Sequence, residues 1–153
     1  MNPAHAQIER LVENKIGERI ASQTNHAIIL FWSSVPEGLT KETVRTCYEV
    51  RMLPRESEGY SSRMITLTCV VSVVASTEDD ATGRHLTSMV ETLMGVIGAW
   101  CMDDDEAAAA LDIDGVFRCD GVKFAPGGDC GYDEQRASWY ATTAVEIVGC
   151  LVD

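Results

Sequence analysis

Apolar residues near the N-terminus recur at helical spacing. Ile8, Leu11, Val12, Ile16 and Ile20 fall on one face of a helix, with Glu9, Arg10, Glu13, Glu18 and Arg19 on the other. This pattern predicts a helix over residues 3–23, with Asn2 as its cap and Pro3 at the first helical position. Glu9 and Glu13 form a like-charge pair, as do Lys15 and Arg19, so packing rather than surface pairing must hold the helix. Residues 24–34 are a short apolar stretch that reads as a strand or sheet edge. Pro36, Glu37 and Gly38 then break the chain.

Two long strands are predicted next, over residues 44–53 and 64–75. In the second, Ile65, Leu67, Cys69, Val71, Val73 and Ala75 line one face, and Thr66, Thr68, Val70, Ser72 and Val74 line the other. The second face is only half polar. Such a strand is central in its sheet or is covered on both sides, for instance by a neighbouring subunit. The connection over residues 54–63 is charged and longer than a tight hairpin needs, a length that marks functional or mobile loops.

Leu86, Met89, Val90, Leu93, Val96, Ile97 and Trp100 form the broad apolar stripe of a long helix ending near Met102. Thr77 or Asp79 is its expected cap, and Glu78, Asp79 and Asp80 would complement its dipole. Gly95 and Gly98 predict close backbone packing against the sheet. Asp103, Asp104 and Asp105 oppose the dipole at the far end and are read as starting the next turn, which leads into a short helical or irregular connection. Strands are predicted over residues 115–124 and 138–149, joined by a flexible acidic loop over residues 125–134. The order predicts one α+β domain over residues 1–153. Its antiparallel-rich sheet is built of two long hairpins, with the N-terminal and long central helices packed on one face.

Composition narrows the class without naming a chemistry. No apolar run reaches the length of a bilayer span, and no basic segment precedes an apolar one, so neither a membrane protein nor a secreted one is expected. None of the six cysteines sits in a C-x-x-C pair or at a ligand-like spacing from a histidine, which favours reduced structural thiols and no metal. Cys119, Cys130 and Cys150 are the set left open to meet in space. His5, His26 and His85 fall in unrelated contexts, with His85 on the exposed start of the long helix. Gly59-Tyr60-Ser61-Ser62-Arg63 does not fit a nucleophile elbow. Gly127-Gly128-Asp129-Cys130-Gly131 shares only its glycines with a phosphate loop. Asp112-Ile113-Asp114-Gly115 begins like a calcium loop but lacks the downstream glutamate. Asp114-Gly115 and Asp120-Gly121 read as turn formers. Neither an enzyme nor a cofactor is predicted.

Charge changes the picture more. Residues 1–75 carry eight acids and eight bases, whereas residues 76–153 carry sixteen acids against Arg84, Arg118, Lys123 and Arg136, the whole of the net −12. That balance excludes the basic stripe of a nucleic-acid binder. It fits a body that repels a polyanion or meets a basic partner, and a solvated acidic face explains it as readily.

An amphipathic N-terminal helix is followed by strands carrying Tyr48-Glu49-Val50-Arg51 and Met64-Ile65-Thr66-Leu67-Thr68-Cys69-Val70-Val71 around a charged loop. A long helix and a final strand with Trp139-Tyr140 after an acidic segment complete the order. In order, length and tone the chain resembles the tail terminator proteins of long-tailed bacteriophages. The resemblance implies a virion protein, assembled in the host cytoplasm, that closes as a homo-hexameric ring on the tail tube protein. Such a ring ends tube polymerisation and forms the docking surface for the head connector. Related folds serve as tail-tube and neck subunits, the nearest rival role.

The residues agree with this in three respects. An acidic lumen lets DNA pass without specific binding, because no counterions are released. Ring closure covers a strand that is greasy on both faces. The hairpin tip, with Arg51, Arg55, Glu56, Glu58, Tyr60 and Arg63, is expected to contact a subunit or partner and to be ordered by that neighbour. Asp129, Asp133 and Glu134 are expected to form an acidic channel or partner surface. Two other classes compete: a small cytosolic ligand-binding domain or enzyme with a pocket between the long helix and the sheet, and an adaptor whose residues 129–134 capture a basic partner.

Overall fold

A computed structural model of the chain describes residues 7–30, 46–53, 64–78, 82–125, 128–135 and 137–152. The fold is α+β, with three helices and a six-stranded, mostly antiparallel sheet among the described residues. The elements in order are α1 (Ile8–Ala21), β1 (Ala27–Leu30), β2 (Cys47–Met52), β3 (Met64–Ser76), α2 (Arg84–Met102), α3 (Asp104–Leu111), β4 (Phe117–Phe124), β5 (Asp129–Asp133) and β6 (Ser138–Leu151). Neighbouring strands run β1-β2-β3-β6-β4, and β5 continues along the β6 edge beyond β4.

The sheet is organised by β3 and β6, which pair antiparallel from Met64↔Cys150 to Ser76↔Ser138. As the alternation predicts, Ile65, Leu67, Cys69, Val71, Val73 and Ala75 are all buried, beside Val145 and Ile147 of β6. Helix α1 adds Ile8, Val12, Ile16 and Ile20 to this core, α2 adds Met89, Leu93, Val96, Ile97 and Trp100, and α3 adds Ala107 and Leu111. Each large aliphatic side chain buried here contributes about 2 kcal/mol by removing its surface from water.

Residues 27–30 form the expected edge strand, β1, which runs parallel to β2 in register from Ala27↔Cys47 to Leu30↔Val50, so the sheet is antiparallel except at this edge. Several expectations are corrected. The predicted acidic loop is largely strand: residues 129–133 are β5, antiparallel to residues 138–142. Asp and Gly are poor strand formers, which hides the period of two. That period puts Cys130 and Tyr132 on the helix side and Asp129 and Asp133 on the other. Tyr132 packs on Trp139 with ring centroids 5.0 Å apart, a cross-strand aromatic pair that helps hold the ribbon.

Helix α2 starts at Arg84, with Gly83 at its N-cap in the left-handed region (φ 78°) and no acid in its first turn. Thr77 instead closes the end of the β3–β6 pair, its amide and hydroxyl both donating to the Ala137 carbonyl at 3.0 Å. Asp79 and Asp80 lie outside the described residues. A Cβ at Gly95 or Gly98 would meet nothing within 4 Å, so neither glycine packs on the sheet. The close approach is at Gly149 in β6, where a Cβ would collide with the Phe117 ring and the Arg118 carbonyl oxygen. Asp120-Gly121 is a bulge within β4 rather than a turn. Asp112 to Gly115 does turn, with Gly115 at φ 74° and Asp112 Oδ1 accepting from the Cys119 amide at 2.6 Å.

Described helix α1 begins at Ile8 behind Gln7, and Asn2 and Pro3 lie outside the described residues. Glu9 and Glu13, expected on its polar face, are buried. Glu13 Oε2 accepts the Met52 amide at 3.0 Å, so the carboxylate caps the end of β2 and is worth burying. Arg19 reaches Glu106 and ties α1 to α3. The acids after α2 do start the next element, because Asp103 Oδ1 accepts from the amides of Asp105 (3.1 Å) and Glu106 (3.2 Å). Replacing Asp103 with alanine should lower stability by about 1 kcal/mol in urea unfolding. An unchanged midpoint would show that this cap contributes nothing.

Candidate partner-binding face

The helices pack on the side of the sheet that carries Ile65 to Ala75. Among the described residues no helix covers the opposite side, whose make-up follows from strand alternation and register. One transverse row holds Glu49 of β2, Ser72 of β3, Thr142 of β6 and Asp129 of β5. The next holds Cys47, Val74, Tyr140 and Gly131, and the one after it Ser76, Ser138 and Asp133. In the other direction come Arg51, Val70 and Ala144, then Thr68, Glu146 and Lys123. Lys123 Nζ lies 3.3 Å from Glu146 Oε2, an exposed cross-strand pair worth well under about 1 kcal/mol.

These rows enclose a cavity of about 210 Å³ lined by Glu49, Ser72, Val74, Asp133, Ser138, Tyr140 and Thr142. Val74 and Ser138 are buried and floor it, with Ile29 and Cys47 packed beside Val74. Ser72 Oγ and Thr142 Oγ1 are 3.3 Å apart. At the rim the Tyr140 hydroxyl donates to Asp129 Oδ2 at 3.2 Å. The negative charge of Asp129, chiefly, raises the Tyr140 pKa, with smaller contributions from partial burial, Cys130 and Asp133. The phenol therefore keeps its proton and remains a donor.

The expected site residues divide sharply. Asp129 and Asp133 share this face, though on a strand rather than a loop, and Asp133 Oδ1 also accepts the Gln135 amide at 3.0 Å. Glu134 is exposed in the turn between β5 and β6. Arg51 is exposed on the same face, two residues along β2 from Glu49. Arg55, Glu56, Glu58, Tyr60 and Arg63 lie outside the described residues. Sequence reasoning missed Glu49, Ser72, Tyr140 and Thr142. Their signal is the period of two in each strand combined with the β2–β3 and β3–β6 registers.

Other candidate chemistry resolves into packing. Two of the histidines share a context: the His26 and His85 rings meet edge to face at 4.8 Å, and His26 lies 6.3 Å from the Tyr48 ring, while His5 lies outside the described residues. The Tyr48 hydroxyl donates to the Met89 carbonyl at 2.9 Å, and burial raises its pKa, so its proton is committed to that bond. All six cysteines are free thiols. Burial, reinforced by the Glu13 charge, pushes the Cys69 pKa well up and keeps it an inert thiol. Cys119 and Cys150 sit on opposite faces of paired strands, and Cys130, beside Ala141, is about 30 Å along β6 from Cys150. These three thiols do not converge. Among the described residues no group of three His, Cys, Asp or Glu side chains is placed to hold a metal ion. No described helix is long and apolar enough to cross a membrane. Compared with known protein families and with characterised proteins, the chain matches none in sequence.

Proposed function

We propose that this protein is a structural virion component, the subunit of a ring, six-membered by resemblance, that caps a phage tail tube. It would end tube polymerisation there and present the surface on which the head connector docks. The observation that carries this reading is the side of the sheet that no helix covers among the described residues. It combines small side chains such as Ser72, Val70 and Ala144 with Glu49, Asp129, Asp133 and Arg51 at its margins. A half-polar surface of this kind suits contact with another protein. The net charge of −12 lets DNA pass through the assembly without being held. A role as a neighbouring tube or neck subunit of the same machine uses the same face.

The ligand-binding alternative expects a pocket between the long helix and the sheet. One cavity among the described residues lies on the other side of the sheet, away from α2. The test is to add the purified protein to tail tubes lacking their cap and to image them. Decoration of one tube end with arrest of further growth is the expected result. If the protein neither marks an end nor blocks elongation, the terminator reading fails.

A further inference from the structure

We propose that the outer face of helix α2 docks against the same face of a second copy of this chain, as a twofold, antiparallel helix pair. This holds whether or not the subunit caps a tube. The inner side of α2 packs Met89, Leu93, Val96, Ile97 and Trp100 into the core. Half a revolution away, Met94, Gly95, Gly98 and Met102 turn outward. Met94 is 39 % exposed and Met102 91 %. The Cys101 thiol lies against the Phe124 main chain, which sets the 41 % exposed Phe124 at the margin of the same face. From Thr92 to Met102 the helix carries no charged residue.

Charge indicates what covers this face. The chain carries a net −12, so two copies repel one another in most orientations. They approach at least cost where each is uncharged, and the outer face of α2 is such a place. A basic partner would be drawn to the acids instead. The face is also complementary to itself. Met94, Gly98 and Met102 form one row at four-residue spacing: a projecting side chain, a gap and a second projection. The gap is open, because a Cβ at Gly98 or at the neighbouring Gly95 would meet nothing within 4 Å. With a twofold axis between Met94 and Gly98, each Met94 enters the gap at the partner's Gly98, so one arrangement fills both gaps. Methionine is unbranched and adapts to such a space. The pair also gives the glycines a reason. Each costs the helix about 1 kcal/mol relative to alanine, and neither makes room for another part of the subunit. One helix against its copy lies at the weak end of protein interfaces, below about 1,200 Å², so the pair forms reversibly and at high concentration.

Full-length protein labelled at its methionine methyls, followed by NMR and sedimentation from dilute solution to about 1 mM, tests this. The Met94 and Met102 signals should shift together along a monomer–dimer curve. The buried Met52 and Met89 should stay in place, as should Met64, which is 54 % exposed and reports on the opposite side of the sheet. Gly98→Leu fills the gap and Met94→Glu puts a charge into the contact, so each should weaken the pairing at least about tenfold. Both positions face outward in the subunit, so the fold is kept, and Met64→Glu should leave the pairing unchanged. Added salt should strengthen it by screening the acids. A monomer at every concentration overturns the proposal. So does association that moves Met64 as much as Met94, which would place the contact on the sheet, and so does association that survives Met94→Glu or that salt dissolves.

Discussion

Gly149→Ala is expected to lower stability by about 3 kcal/mol, at the upper end of what overpacking costs. The added methyl would meet the Phe117 ring and, more seriously, the Arg118 carbonyl oxygen, which is backbone and cannot rotate away. Gly149 pairs with Ile65 on one side and Cys119 on the other, so any shift of β6 here disturbs three strands at once. The comparison is Gly95→Ala and Gly98→Ala in α2, where the new methyl meets nothing within 4 Å. Those changes should be neutral or stabilising by up to about 1 kcal/mol, because alanine is the better helix former. Urea unfolding of the three variants measures the contrast. A loss at Gly95 that equals the loss at Gly149 would contradict the packing described here.

That contrast shows what the sequence can and cannot convey. A glycine in a helical stripe reads as a close contact, yet only the pairing of β4 with β6 reveals that Gly149 is the one under pressure. Helices α1 and α2 and strands β3 and β6 were legible because each is long and strongly periodic. Strand β5 was not, since Asp-Cys-Gly-Tyr-Asp has the composition of a loop and becomes a strand only through its pairing with β6. Glu13 was hidden for a related reason. A carboxylate on a helix reads as solvent-facing until a backbone donor, here the Met52 amide, is seen to meet it.

The partner face follows the same logic. Asp129 and Asp133 could be named from the charge split, because like charges gathered in one segment are visible in one dimension. Glu49 could not, as it lies in the balanced half of the chain. It joins the acidic residues only because β2, β3, β6 and β5 stand side by side, placing Glu49 and Asp129 in one transverse row. The hydroxyls of Ser72 and Thr142 between them carry no sequence signal of their own beyond alternation.

Trp100 offers the largest single loss and an internal check on its cause. The side chain is almost fully buried, at 1 % exposed, within the core formed by α2 and the sheet. Trp100→Ala should cost about 4 kcal/mol, from lost transfer free energy and the cavity left behind. The indole N–H finds no acceptor among the described residues, so the native protein carries the cost of a buried unmatched donor. Trp100→Phe removes that donor, returning about 1–3 kcal/mol against the loss of part of the ring's packing. The phenylalanine variant should therefore fall within about 1 kcal/mol of the native protein, far closer than size alone predicts. Paired urea unfolding curves decide the point. If phenylalanine costs nearly as much as alanine, the N–H has a partner, such as a buried water, and the argument from an unmatched donor is wrong.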